Sequence, residues 1–207
     1  MKILYIFLLL CACENLSAQV YYHRTSNPNV GFGKNTTSAK MEFCVNGPLV
    51  TNDGIPVGGY IDNGIPIKPW IDPMVGGGNF AVDNAIFGIG EDGNFYLLPY
   101  EEKEKLSPMR WAFQNGPILV KDGINKRGAS TSSYARSGIG FKNDRTLVVI
   151  VSITPVTLRQ FAELFIAEGC SNAIYLDGGP YVGYADKHSW GGTLVSSATK
   201  LQFFQKN

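Results

Sequence analysis

A chain of 207 residues suits one sizeable domain and leaves two cramped. Its 18 basic and 17 acidic residues nearly cancel and form no basic block, which argues against nucleic acid or an anionic membrane surface as the main partner. Twenty-four glycines, 12% aromatics and only 17% charged residues, with no fixed repeat, point to a turn-rich, β-leaning globular fold.

Residues 1–18 read as a signal peptide. Lys2 supplies the positive start, Ile3 to Ala12 the apolar run, and Leu16-Ser17-Ala18 a small-residue cleavage site before Gln19. The run is too short to span a bilayer as a mature helix, so no transmembrane span is expected in the mature chain. The expected location is secreted or periplasmic. Cys13, in Leu10-Cys11-Ala12-Cys13, offers a lipid-anchored alternative. Cys44 and Cys170 remain after cleavage; an oxidising compartment permits a disulfide between them, but one pair is no disulfide framework, and the expectation leans to two buried, unbridged thiols.

Residues 19–40 are polar, with Asn27-Pro28-Asn29 and Asn35-Thr36-Thr37, and predict an irregular arm ahead of a domain over 41–207. Met41 to Val45 predicts a strand ending in Asn46-Gly47-Pro48. Ile55 to Ile61 and Ile65 to Ile67 flank Asp62-Asn63-Gly64, a hairpin signal. Ala85 to Ile89 and Asn94 to Leu98 flank Glu91-Asp92-Gly93 and predict a second hairpin. Between them Gly76-Gly77-Gly78-Asn79 predicts a flexible loop, without the helix and Lys of a phosphate-binding loop.

Further strands are predicted at Ile118 to Val120, Ser137 to Phe141, Leu147 to Val151 and in the tail from Thr193 to Phe204. One helix stands out. Thr157 and Gln160 fit a capping box, Leu158, Phe161, Ala162 and Phe165 form an apolar stripe, and Gly169 is a natural stop. Ala173-Ile174-Tyr175-Leu176 then reads as a buried strand that carries Asp177 to the sheet's rim. Many strands with one good helix predict an α+β class: a single mixed or antiparallel β-rich domain with at least one packed helix.

Four polar elements fall at strand ends beside glycine: Asn46-Gly47, Gln114 before Gly116-Pro117, Arg136 before Gly138 and Gly140, and Asp177-Gly178-Gly179. Singly each is an ordinary turn. Together they offer a guanidinium fork for phosphate, two amides for sugar hydroxyls and a carboxylate for an oxocarbenium-like centre. His188 sits in a polar loop and reads as solvent-exposed. With His23 the only other histidine, no His-rich metal site is expected. Asp53, Asp62 and Asp72 fit no calcium loop, and no cofactor is predicted.

The order of these segments resembles the phosphodiester glycosidases. The matching residues are Asn46-Gly47, Pro56-Val57-Gly58 with Asn63-Gly64, Gly78-Asn79-Phe80, Gln114 with Gly116-Pro117 and Leu119, and Arg136 with Gly138-Ile139-Gly140. Pro155-Val156-Thr157 and Gly169-Cys170, Asn172-Ala173, Tyr175-Leu176-Asp177-Gly178 complete the series, so the resemblance runs from Met41 to Tyr184. It implies a secreted hydrolase that cleaves the glycosidic bond of a sugar-1-phosphodiester, a GlcNAc-1-phosphodiester-like substrate. Asp177 and Arg136 would be catalytic, and Asn46, Gly47, Gln114, Gly116, Gly178 and Gly179 would bind substrate. Pro48 and Pro180-Tyr181 depart from the family pattern within the presumed pocket. They motivate an alternative, a noncatalytic carbohydrate- or glycosyl-phosphate-binding envelope protein on the same fold.

Overall fold

The computed structural model describes residues 20–26, 29–33, 41–129, 131–179, 182–186, 190–192 and 200–204. The leader with Cys13, Pro180-Tyr181 and His188 lie outside the described residues. Strands are numbered along the chain and form three sheets, antiparallel at every pairing. The first sheet runs in the order β1 (Val20–Thr25), β12 (Leu147–Val156), β11 (Tyr134–Phe141), β13 (Asn172–Tyr175), β9 (Ile118–Lys121) and β10 (Ile124–Asn125). The second holds β15 (Trp190–Gly192), β14 (Gly183–Asp186), β3 (Met41–Asn46), β16 (Lys200–Phe204) and β2 (Asn29–Gly33). The third holds β5 (Ile65–Lys68), β4 (Tyr60–Asp62), β8 (Met109–Asn115), β6 (Ala85–Gly90) and β7 (Phe95–Pro99). With one substantial packed helix, this is the β-rich α+β domain that the sequence predicts.

The first sheet is buried on both faces, which is why Leu147 to Val151 and Ala173 to Leu176 are unbroken apolar runs. One face turns Ile139, Val149, Val151, Ile174 and Leu176 toward Phe43, Phe203, Phe87 and Trp111 of the other two sheets. The opposite face packs Val148, Ile150, Ala173 and Tyr175 against Phe161, Ala162 and Phe165. Those last three lie on the long helix, Leu158–Ala167.

That helix has the predicted ends. Thr157 Oγ1 accepts from Gln160 N–H at 3.1 Å while Gln160 Oε1 accepts from Thr157 N–H at 2.9 Å, a capping box. At the other end Gly169 takes φ +80°, its N–H donates to Ile166 O, and Cys170 N–H donates to Phe165 O, which makes a Schellman motif. Gly138 and Gly140 let the helix dock. A Cβ on either would stand about 3.0 Å from the Phe161 or Phe165 ring. Because β11 is antiparallel to both β12 and β13, the helix returns the chain so that β13 runs parallel to β12, one strand away.

Three expectations change. The arm over 19–40 is not irregular where it is described: Val20–Thr25 pairs with β12 and Asn29–Gly33 with β16. Tyr21 packs into one core and Val20 and Tyr22 into the other, a two-residue alternation masked by the polar residues that follow. The glycine run is not a loop but two helical turns, α1 (Pro73–Gly76) and α2 (Gly78–Ala81), the first capped by Asp72 Oδ1 accepting from Met74 N–H at 2.9 Å. The first hairpin keeps its Asn63-Gly64 turn, at φ 49° and 78°, but its first arm is only Tyr60–Asp62. Cys44 and Cys170 are separate buried thiols, and burial pushes Cys170 up to about 12. No helix among the described residues is long and apolar enough to cross a membrane.

Candidate active site

Register brings the two predicted charges together. Gly138 pairs with Tyr175 and Leu176 N–H donates to Ser137 O at 2.9 Å, so the chain carries Asp177 past the end of β13 on the side of β11 where Arg136 lies. Two groups 41 positions apart in sequence (177 less 136) thus share one end of the sheet.

Asp177 is fixed through its main chain. Its N–H donates to Gly47 O at 2.9 Å, and Ser137 Oγ donates to its carbonyl at 2.5 Å. Its Oδ1 accepts from Gly178 N–H at 2.9 Å. Burial pushes the carboxyl up to about 6, and the Gly178 N–H offsets part of that rise.

Arg136 is 4% exposed, so it is no surface ion pair. Its Nε donates to Val156 O at 2.7 Å and its Nη2 to Ser132 O at 3.2 Å. A bulge supplies the first acceptor: Tyr134 pairs with Val156 but Arg136 with Ser152, so four steps on β12 oppose two on β11. The guanidinium carbon lies 5.6 Å from the centre of the Tyr134 ring and 5.8 Å from that of Tyr175. Among the described residues no carboxylate pairs with it.

Asn46 and Gly47 close this end from the second sheet. Both are buried, and Gly47 carries the carbonyl that holds Asp177. Gly178 and Gly179 follow Asp177 directly, and open space surrounds the position a Cβ would take on Gly179.

Gln114 corrects the sequence reading. Its side chain is 0% exposed and saturated. Oε1 accepts from Ile71 N–H at 2.9 Å and Gly59 N–H at 3.2 Å, while Nε2 donates to Ile71 O at 2.7 Å and Asn84 Oδ1 at 2.9 Å. No donor or acceptor is left for a sugar, so Gln114 ties loops of the third sheet. Gly116 likewise walls no cleft. A Cβ there would stand 2.7 Å from Val82 O and 2.8 Å from Phe80 O, so the glycine serves close packing.

Two residues at the site carry no sequence signal strong enough to single them out. Asn115 Nδ2 donates to Tyr175 O at 2.6 Å and its Oδ1 accepts from Leu49 N–H at 3.2 Å, clamping the 47–49 segment to β13. Tyr175 stands two positions before Asp177, the spacing of one strand face. Its phenol is raised first by burial, then lowered by the Arg136 charge, raised by the Asp177 charge and lowered by a hydrogen bond with the Arg136 side chain, so it lies near both charges.

A cavity of about 540 Å³ lined by Asp72, Asp83, Asn84, Tyr100, Lys121 and Lys126 includes neither Arg136 nor Asp177. Among the described residues no three His, Cys, Asp or Glu side chains gather to hold a metal ion.

Comparison with known proteins agrees with this architecture. A solved catalytic domain of zebrafish N-acetylglucosamine-1-phosphodiester alpha-N-acetylglucosaminidase, auto-inhibited by its pro-peptide, superposes with a TM-score of 0.65 at 17% identity, over 91% of this chain and 73% of that one. A hypothetical protein from Synechocystis gives a TM-score of 0.52 at 12% identity, over 92% of this chain and 58% of that one. No curated protein sequence matches the chain. The family model for phosphodiester glycosidase matches residues 39–192, about three quarters of the length. By that match the chain belongs to the phosphodiester glycosidase family.

Proposed function

We propose that the protein is a secreted or periplasmic hydrolase that cleaves the glycosidic bond of a sugar-1-phosphodiester, a GlcNAc-1-phosphodiester-like substrate, releasing sugar and a phosphomonoester. One observation supports the reading: at one end of the first sheet, and among the described residues, a buried guanidinium has no carboxylate partner and a nearby carboxyl has no cationic one. Burying a charge is costly unless something pairs with it, so an unmatched buried cation marks an anion site. The activity in the zebrafish neighbour's name is of the same kind.

The chemistry suits these groups. The C1–O bond breaks with its electron pair leaving on phosphate, whose monoester has a second pKa of about 6 and departs with little protonation. Arg136 steadies that developing charge from a fixed position. The Asp177 carboxylate stabilises the positive charge growing at the anomeric carbon. Water adds to that carbon and its proton leaves to solvent. Asn46, Gly47, Gly178 and Gly179 line the approach. Gln114 and Gly116 shape the fold behind it.

The test is release of free sugar from UDP-GlcNAc and simpler sugar-1-phosphodiesters. The wild type frees sugar and Asp177→Asn binds substrate without turning it over. A wild type that frees no sugar from any member of the panel overturns the reading.

A further inference from the structure

We propose that Tyr175 is a positioning residue: its ring partitions the Arg136 fork from the Asp177 carboxylate, so each acts on its own part of one substrate instead of neutralising the other. The purpose of this partition rests on the glycosidase reading; its geometry does not.

An Arg and an Asp brought to the same end of a sheet ordinarily pair. Here they do not. Arg136 turns to two backbone carbonyls, Val156 O and Ser132 O, and to the Tyr175 phenol, while Asp177 Oδ1 accepts from the adjacent Gly178 N–H. The side chain beside both is Tyr175. Its ring centre is 5.8 Å from the guanidinium carbon, and its phenol responds to both charges. At 4% exposure it is packed in the cluster with Phe161 and Phe165, so it does not swing aside.

Gly178 completes the device. A Cβ there would stand 1.9 Å from the Tyr175 hydroxyl, closer than any real contact. Only glycine at 178 admits the phenol. The Asp-Gly pair therefore has a second reason beyond an open approach for ligand. Among the described residues, Tyr175 two positions earlier is the titratable side chain tied to Asp177, and Arg136 on β11 is hydrogen-bonded to that phenol. The second sheet approaches through neutral Gly47.

The experiment is a carbon-13 NMR titration of the Asp177 carboxyl in three variants, without substrate. Tyr175→Val removes the partition, lets Arg136 reach Asp177, and lowers the carboxyl's midpoint by about 2 pH units, a roughly 100-fold loss of proton affinity. Tyr175→Phe keeps the ring and leaves the midpoint within about 0.5 unit of wild type. Adding Arg136→Gln to Tyr175→Val returns it to the high value. Should Tyr175→Val fail to fold, Gly178→Ala displaces the phenol while keeping the core volume, and the midpoint falls in the same direction. An unmoved midpoint in the folded Val or Ala variant overturns the proposal, as does a Phe variant that moves as far as Val. Absent sugar release would sink the glycosidase reading and leave this titration unchanged.

Discussion

Gln114 and Arg136 are both buried polar side chains at a strand end with a glycine two residues on, and they differ in what they bind. Gln114 spends both lone pairs and both N–H groups on Gly59, Ile71 and Asn84. Arg136 has two backbone acceptors and the Tyr175 hydroxyl for five donors, and no carboxylate partner among the described residues. A saturated amide is finished by folding. A buried cation with no anion beside it among the described residues is, on the proposed reading, the place for one. The same sequence signature therefore carries architecture in the third sheet and, on the proposed reading, chemistry in the first, and hydrogen-bond accounting separates them.

The largest effect should come from the charged pair. Asp177→Asn is expected to lower kcat by about 10³-fold or more, read as sugar release per enzyme at pH 7. Wild-type kcat/KM should fall with acid as Asp177 takes up its proton near its value of about 6. Next, Arg136→Gln should cost roughly 10²-fold, because a fixed donor to the leaving phosphate is lost. The same size of loss at Gln114→Leu would erase the contrast drawn above.

Gln114→Leu should instead act on stability. It strands the Gly59 and Ile71 N–H groups and the Ile71 carbonyl, at about 2–4 kcal/mol in chemical denaturation, with kcat of the folded fraction unchanged.

Asp177→Asn sharpens the comparison in the opposite direction. The folded state holds this proton up to about pH 6 while the unfolded chain releases it near 4, so stability falls as pH rises through that window. The Asn variant escapes that loss and should be more stable than wild type above pH 6, by on the order of 2 kcal/mol, measured as a raised Tm at pH 7.5. Thr157→Ala, remote from both regions, should cost about 1 kcal/mol by removing the capping hydroxyl and leave activity alone.

Local signals were legible. The capping box at Thr157, the Gly169 stop, the Asn63-Gly64 turn and the apolar runs of the first sheet each depend on residues within a few positions. Non-local ones were not. Val20–Thr25 and Asn29–Gly33 become strands by pairing with partners more than 100 residues away, beyond what a local window contains. Arg136 and Asp177 were legible as types beside glycines, but their meeting at one end of the sheet depends on the β11–β13 register. Gln114 looked the same as they did because its four partners come from three distant loops. Tyr175 was hidden inside an apolar run, where a phenol passes for core.

The central claim is that Arg136 and Asp177 address the two ends of one glycosyl phosphate. A crystal structure of Asp177→Asn soaked with a sugar-1-phosphodiester tests it most directly. The account predicts a phosphate oxygen about 2.7–2.9 Å from the Arg136 guanidinium, with the anomeric carbon facing residue 177. Phosphate bound away from Arg136, or a sugar turned from residue 177, would contradict it.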